Sequence, residues 1–220
     1  MAVPKTSKNR RSQVERSDES RAKILAAAER VFAREGLAGA RTDEIADEAG
    51  VNKALLYYYF KGKESLYEAV IEEHLGEFNR QALGILEGVG SVRVLLLRYV
   101  DLHFDFISRR HRHAPLFQQF MSKGGKPPER LVREYIVPRV EALRKLLVRG
   151  MRENELRKSD PFHTAVSLAA LIVFYFSSAP MLKLIGHSDP YASANLAKRK
   201  KEVREFIRRG MFNDLESSAK

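Results

Sequence analysis

The stretch "GVNKALLYYYF", Gly50 to Phe60, places Lys53 close to three consecutive tyrosines, Tyr57 to Tyr59, in a chain without tryptophan. A lysine amine can donate hydrogen bonds to guanine or to a phosphate oxygen. A tyrosine offers an apolar ring for thymine methyl groups and a hydroxyl for phosphate. The chemistry that these residues indicate is noncovalent recognition of DNA, provided that one helix face presents them together.

Other side chains with reactive groups form no catalytic or metal-binding pattern. The chain has no cysteine, which excludes disulfides, thiolate zinc sites and cysteine nucleophiles. Its histidines are scattered, and the "HRH" at 111–113 lacks the i, i+4 spacing of helical zinc ligands. No phosphate-binding glycine loop, nucleophile elbow or pair of catalytic carboxylates is recognisable. We therefore predict that the protein is not an enzyme and has neither a metal site nor a cofactor.

The composition is that of a folded protein with an unusual charge. The 39 lysines and arginines exceed the 28 acidic residues and leave a formal charge of +11. Such an excess favours a polyanionic partner, either nucleic acid or an anionic membrane surface. Charge alone does not decide between these two.

Two short helices are predicted to position the lysine and the tyrosines. Thr42 is a suitable N-cap for the first, with Asp43 and Glu44 adding favourable negative charge to its first turn. Gly50 ends that helix, and Asn52 is a suitable N-cap for the next, which begins at Lys53. Two helices of about two turns, separated by so short a connection, have the plan of a helix-turn-helix.

The second of these helices must present different residues on its two faces. Val51, Leu56 and Phe60 have the spacing to pack on apolar residues of neighbouring helices, namely Ile24, Phe32 and Ile45. The alternative is that all the aromatic rings belong to the core. That arrangement would leave several buried phenol hydroxyls in need of partners, so we prefer an outward, DNA-facing role for the tyrosines.

The segment "TDEIADEAGVNKALLYYYFKGKESLYEAV" resembles the DNA-binding segment of the TetR (tetracycline repressor) family of bacterial regulators. The specific motifs cover about residues 20 to 75, and the rest is similar in length and helical layout. The resemblance implies an all-helical homodimer whose three-helix N-terminal unit binds a palindromic operator in double-stranded DNA. It also implies a larger C-terminal unit that dimerises and binds a small-molecule effector.

The resemblance further implies which residues contact DNA. By position they are Arg41, Thr42, Lys53, Ala54, Leu55, Tyr57, Tyr58, Tyr59 and Lys63. Leu55 departs from the family pattern, because many members have a small hydroxyl residue there, whereas leucine can make only apolar contacts.

The domain boundaries follow from composition and helical periodicity. We expect a flexible basic arm at 1–17, the helix-turn-helix domain at 18–62 with its first helix at about 18–34, a connecting helix at 63–87, and the ligand-binding and dimerisation domain at 88–220. Within the last domain we predict helices at about 91–109, 114–122, 127–156, 161–186 and 194–212. Pro138 and Pro180 should kink or divide two of them.

The apolar run "LAALIVFYF" within 161–186 requires cover on more than one side. It is close to the length of a membrane span, but Ser177, Ser178, Pro180 and Lys183 interrupt the apolar segment, so we predict a helix buried against protein. With no secretory signal recognisable at the N-terminus, we expect a cytoplasmic protein without membrane association. The resemblance suggests that helices 161–186 and 194–212 form the homodimer interface.

Aromatic residues on the C-terminal helices are candidates for the lining of an effector pocket, which would suit a lipophilic ligand. They are Phe104, Phe117, Phe120, Tyr135 and Phe174, although aromatic residues at helical spacing more often belong to a core. Two alternatives to a ligand-responsive repressor stay open at this point. The C-terminal unit could dock a protein partner, or the chain could be a helical enzyme or lipid-binding protein whose charge serves acidic substrates or membranes.

Overall fold

The computed structural model describes residues 6–110, 116, 128–186 and 188–213, with side chains from Arg16 onward. The predicted all-α fold is confirmed: within those ranges the only β pairing is an isolated bridge between Leu156 and Phe212. The helices are α1 Thr6–Gly39, α2 Thr42–Ala49, α3 Lys53–Tyr59, α4 Lys63–Leu86, α5 Val92–Arg109, α6 Glu129–Leu131, a π-helical turn Val132–Ile136, α7 Val137–Arg152, α8 Pro161–Ser177, α9 Ala179–Leu184 and α10 Ser193–Met211.

The first helix begins earlier and ends later than the sequence pattern predicts. It runs from Thr6, so residues 6–17, which we expected to form an irregular arm, are helical. No proline or glycine occurs between Thr6 and Arg34, and the polar residues there include good helix formers, so nothing in the backbone stops the helix. Gly36, with φ 68° and ψ 173°, interrupts it near its end.

The chain divides into two compact units, residues 1–73 with 115–121, and residues 74–114 with 122–220. The division falls within α4, the helix predicted to connect the two domains. In the first unit, Ile24, Phe32, Ile45 and Leu56 are completely buried, as their spacing predicts. The ring of Phe32 meets that of Tyr67 edge to face, with centroids 5.3 Å apart. Three helices therefore share one small core with the beginning of α4.

Ion pairs add to the contact between α1 and α2. Arg30 Nε lies 2.5 Å from Glu48 Oε1, and Arg34 pairs with Glu44. These side chains are partly exposed, so they contribute less to stability than the apolar core beneath them.

The second unit has a larger apolar core built from α4, α5, α7, α8 and α10. Its fully buried residues include Leu96, Leu147 and Ile172. Glu155 caps the N-terminus of α5, where its carboxylate accepts hydrogen bonds from the backbone N–H groups of Val92, at 3.0 Å, and Arg93, at 3.1 Å. A carboxylate at this end of a helix is favourable, because it satisfies free N–H groups and faces the positive end of the helix dipole.

The two internal prolines divide their helices, as predicted. Pro138 lies in the first turn of α7, immediately after the π-helical turn Val132–Ile136. Proline lacks an N–H and its ring crowds the preceding turn, which accounts for the loss of regular α geometry there. Pro180 lies at the start of α9, so the helix predicted at 161–186 is two helices that meet at Ser178. The helix predicted at 114–122 lies outside the described residues except for Leu116.

The apolar helix α8 is buried along one stripe only. Ala165, Leu168, Ile172 and Phe176 face the core, whereas Val166, Val173 and Phe174 are exposed on the other side. Within the described ranges, no helix has the length and apolarity that crossing a bilayer requires. The described residues of this single chain thus do not supply the cover that we predicted on more than one face.

Candidate DNA-binding site

The connection between α2 and α3 has the tight geometry that its sequence predicts. Gly50 ends α2 in the left-handed region, at φ 67° and ψ 33°, a conformation that glycine adopts without steric cost. Its N–H donates to the carbonyl of Asp47, and the N–H of Val51 donates to that of Ala46. Asn52 then caps α3, because its side-chain oxygen accepts a hydrogen bond from the N–H of Leu55 at 2.7 Å.

The two faces of α3 differ as the sequence predicts, except at Tyr59. Leu56 and Phe60 are buried, and the guanidinium of Arg21 lies 5.5 Å from the centre of the Phe60 ring. On the opposite side, Tyr57 is 46% exposed and Tyr58 is 80% exposed. Lys53 and Ala54 are exposed too, and Leu55 is half-buried. The outer face of α3 therefore presents an amine and two phenol groups together.

Polar contacts with α2 orient part of this face. Lys53 Nζ lies 2.6 Å from Asp43 Oδ1, and this hydrogen bond lowers the pKa of Asp43 and raises the pKa of Lys53. Lys53 is therefore fully charged at neutral pH. The hydroxyls of Thr42 and Tyr57 lie 3.5 Å apart. The start of α2 and the outer face of α3 form one continuous polar surface, which we call the α2–α3 surface.

Three further observations concern the position or the contacts of residues predicted to contact DNA. Thr42 is the first residue of α2 and not its N-cap, because Arg41 occupies the cap position without a side-chain hydrogen bond. Tyr59 is half-buried and its hydroxyl donates to Ser17 Oγ at 2.9 Å, so its phenol group is turned toward α1. Lys63 Nζ donates to the carbonyl of Ala38 at 3.1 Å.

The aromatic residues proposed for an effector pocket are not brought together. Phe104 is buried in the core, where its ring lies 5.2 Å from that of Phe176, and Phe174 is 61% exposed on the outer side of α8. Tyr135 is half-buried in the π-helical turn, near Gly76. Phe117 and Phe120 lie outside the described residues. The predicted shared cavity is therefore not formed by Phe104, Tyr135 and Phe174.

The second unit contains a group of polar side chains that was not predicted from the sequence. Asn79 of α4, Tyr99 and His103 of α5, and Arg139 of α7 lie close to the Phe78 ring. One signal was available: Tyr99 and His103 are spaced by four residues within an otherwise apolar stripe of α5. Arg139 could not have been found in this way, because sequence spacing does not show which helices meet.

The three-helix unit and its α2–α3 surface define a helix-turn-helix protein, and comparison with known families agrees. The profile of the tetR family of bacterial regulatory proteins matches residues 24–70. The tetracyclin repressor-like C-terminal domain matches residues 95–207, about half of the chain. The chain belongs to the tetR family of bacterial transcriptional regulators.

Individual relatives agree with this assignment. The transcriptional repressor SCO4008 of Streptomyces coelicolor is 28% identical over 194 residues, which cover 86% of this chain and 96% of that protein. The transcriptional activator FasR of Mycolicibacterium smegmatis is 39% identical over 99 residues, 45% of each chain. The family thus includes relatives that act in opposite directions on transcription.

Solved structures share the fold. A transcriptional regulator from Saccharomonospora viridis, in complex with choline, has a TM-score of 0.73 at 20% identity and covers 90% of this chain and 100% of its own. FadR from Bacillus subtilis, in complex with stearoyl-CoA, has a TM-score of 0.70 at 20% identity, with 84% and 96% of the two chains covered. At this level of identity the similarity shows the fold alone.

Proposed function

We propose that this protein is a homodimeric, ligand-responsive transcriptional regulator, most simply a repressor, that binds a palindromic operator and is released by a small lipophilic effector. The observation that carries the proposal is the outer face of α3, where Lys53, Tyr57 and Tyr58 point away from the core. In a helix-turn-helix, residues at the start of the second helix contact base edges in the major groove. The exposure of these amine and phenol groups supports their proposed contact with base pairs.

The other predicted DNA contacts fit a supporting role. Arg41 is exposed beside the start of α2, where free backbone N–H groups and the helix dipole favour a phosphate. Thr42 can donate its hydroxyl to the same phosphate, and Lys63 adds positive charge near the end of α1. We assign Arg41, Thr42 and Lys63 to the DNA backbone, and Lys53, Ala54, Leu55, Tyr57 and Tyr58 to the groove. Tyr59 supports the helix through Ser17 and, in this assignment, contacts DNA only through the edge of its ring.

Dimerisation is proposed through α8, α9 and α10. Exposed apolar side chains occur on all three of these helices, including Phe174, Leu184 at 89% exposure and Phe206 at 65% exposure. A second copy would bury them in a two-fold interface and supply the missing cover for α8. Two α3 helices would then reach successive major grooves about 34 Å apart, provided that the two copies hold that spacing.

The dimer can be tested with a charge placed in the proposed interface. Phe174→Glu should convert the protein to a monomer, because a carboxylate in an apolar interface is costly to desolvate. Val89 is fully exposed and belongs to no proposed interface, so Val89→Glu is the matched control. Light scattering after gel filtration gives the mass of each variant. A dimeric Phe174→Glu variant would exclude this face as the interface.

The effector would act by selecting a conformation in which the two α3 helices no longer match the operator. Structural neighbours bind ligands as different as choline and stearoyl-CoA, so the fold does not fix the effector. The decisive experiment is selection of genomic DNA fragments by the purified protein, followed by a search for an inverted repeat. An enriched palindrome supports the proposal. Fragments without a common inverted repeat, or no enrichment at all, would contradict it.

A further inference from the structure

The polar group inside the second unit surrounds the ring of Phe78. The guanidinium carbon of Arg139 lies 4.8 Å from the centre of this ring, and the imidazole of His103 lies 4.9 Å from it. Arg139 Nη1 donates to Asn79 Oδ1 at 3.2 Å, and the rings of Tyr99 and His103 are 5.9 Å apart. Helices α4, α5 and α7 thus bring a cation, an amide, a phenol and an imidazole to one place, which we call the Arg139 site.

None of the residues that the structure describes neutralises the charge of Arg139. Within the described chain no carboxylate lies at ion-pair distance from its guanidinium, whose polar neighbours are the uncharged Asn79 and Tyr99. Burial lowers the pKa of Arg139, and the Tyr99 phenol only partly opposes this. By contrast, Arg110, which immediately follows α5, pairs with Glu77 at 2.6 Å. A mostly buried cation without a counter-ion is unfavourable, so a purely structural role does not account for it.

His103 is also incompletely satisfied. Its Nδ1 is buried and neither accepts nor donates a hydrogen bond within the described ranges. Burial, together with the nearby charge of Arg139, lowers the pKa of His103 to about 3, so the imidazole is neutral and one of its two nitrogens carries a hydrogen. The side chains of His103 and Arg139 nevertheless keep some accessible surface. Neither residue is therefore completely sealed from solvent.

We propose that the Arg139 site binds the anionic head of the effector, a carboxylate or phosphate carried on an apolar body. This inference rests on the proposed function and names the chemical class of its ligand. The planar guanidinium can donate two parallel hydrogen bonds to such a group, while Tyr99 and His103 can add an O–H and an N–H. The rings of Phe78 and Phe106, whose centroids are 4.9 Å apart, provide apolar contact beside it. A quaternary ammonium ligand would meet an uncompensated positive charge here.

Calorimetric titration of the full chain with four amphiphiles of equal chain length tests the charge of the ligand. The probes are dodecanoate, dodecyl phosphate, dodecanol and dodecyltrimethylammonium. Dodecanol is used below its solubility limit and the three ionic compounds below their micelle concentrations. We expect one or both anions to bind about tenfold or more tightly than the alcohol, the scale of a hydrogen bond to a charged group. The preferred anion identifies the head group. Equal binding of the alcohol or the ammonium compound, or no binding of either anion, overturns the inference.

A set of variants tests the site itself. Arg139→Met removes the charge at similar volume and should weaken anion binding about tenfold or more, while binding of the alcohol changes little. Arg144→Gln is the matched control, since Arg144 is on the same helix and pairs with Glu141 at 2.7 Å on the surface. Arg139→Lys keeps the charge without the bidentate geometry and should give intermediate affinity, even if Arg139→Met fails to fold. If Arg139→Lys and folded Arg139→Met both bind the anion with wild-type affinity, the assignment is overturned.

The outcome can be separated from that of the proposed function. Selection of genomic fragments does not require the effector, so a palindrome can be found whether or not an anion binds. If a palindrome is found and only neutral or cationic compounds release it, the inference about Arg139 fails and the regulator stands. If no palindrome is found, the proposed function fails independently of the ligand.

Discussion

Replacement of Tyr58 tests the outer face of α3 most directly. Its side chain is 80% exposed, and its ring meets the ring of Tyr59 edge to face, at a centroid distance of 5.2 Å. Loss of so exposed a ring should change the free energy of unfolding by no more than about 0.5 kcal/mol. The buried neighbour Leu56 gives the opposite expectation, because Leu56→Ala should cost about 2–5 kcal/mol. Tyr58→Ala therefore separates DNA binding from folding.

The expected loss of operator affinity can be bounded. A good base contact contributes about 1–3 kcal/mol of discrimination, which corresponds to about fivefold to 150-fold in affinity for each half-site. Tyr58→Phe keeps the ring and removes the hydroxyl, so it should lose only the contribution of one hydrogen bond, about 0.5–1.5 kcal/mol. The order of affinities should be wild type, then Tyr58→Phe, then Tyr58→Ala.

The assay is fluorescence anisotropy with a duplex that carries the selected palindrome and with a scrambled duplex, at fixed salt concentration. Thermal unfolding by circular dichroism checks that each variant is folded. Tyr58→Ala should lose most of the difference in affinity between the two duplexes. The reasoning is refuted if Tyr58→Ala keeps wild-type affinity and preference, or if it unfolds at a much lower temperature, since the ring would then belong to the core.

Three further predictions concern charge, packing and protonation. Lys63→Ala should weaken binding to both duplexes similarly and reduce the slope of log K against log salt by about 0.9 per copy, and an unchanged slope would remove Lys63 from the DNA backbone. Gly150→Ala should destabilise the fold by about 1–3 kcal/mol in denaturant titrations, because a Cβ there would lie 2.6 Å from Leu156 Cδ1. Gly84→Ala, which meets nothing within 4 Å, should instead stabilise the protein by about 0.5–1 kcal/mol, and equal effects of the two would disprove the packing argument. His103 has a pKa of about 3 when folded, below its ordinary value of 6.5, so the folded state binds fewer protons and its stability should fall as the pH drops below about 6.5. His103→Gln should lose this part of the pH dependence. If the unfolding free energy of this variant falls between pH 7 and pH 5 by as much as that of wild type, His103 is not responsible.

The α2–α3 surface of the first unit was largely predictable because its signals are local. Asn52 caps α3, Gly50 takes the left-handed conformation, and Leu56 and Phe60 are buried, all as their types and spacing predict. Capping and turn chemistry depend on residues a few positions apart, so one sequence contains the required information. The start of α1 was predicted too late, because a polar sequence lacks apolar periodicity whether it is helical or irregular.

The second unit was less predictable because its interior depends on contacts between distant segments. The prolines correctly indicated where helices divide, but not which face of α8 is buried in one chain. Phe104 and Phe174 looked equivalent in sequence, yet one is in the core and the other is on the surface. Spacing within a helix gives the residues that share a face, but not the direction of that face.

By itself, the sequence determined the helical class, the helix-turn-helix and the lysine and tyrosines of its second helix, because caps, glycines and apolar spacing act over a few residues. Only the tertiary structure decided that Tyr59 turns toward Ser17, and that Lys63 donates to the carbonyl of Ala38. It also decided that Arg139 lies beside Asn79, Tyr99 and His103 without a carboxylate among the described residues around it. Such contacts join residues tens of positions apart, and their energy depends on burial, which only the packing of helices determines.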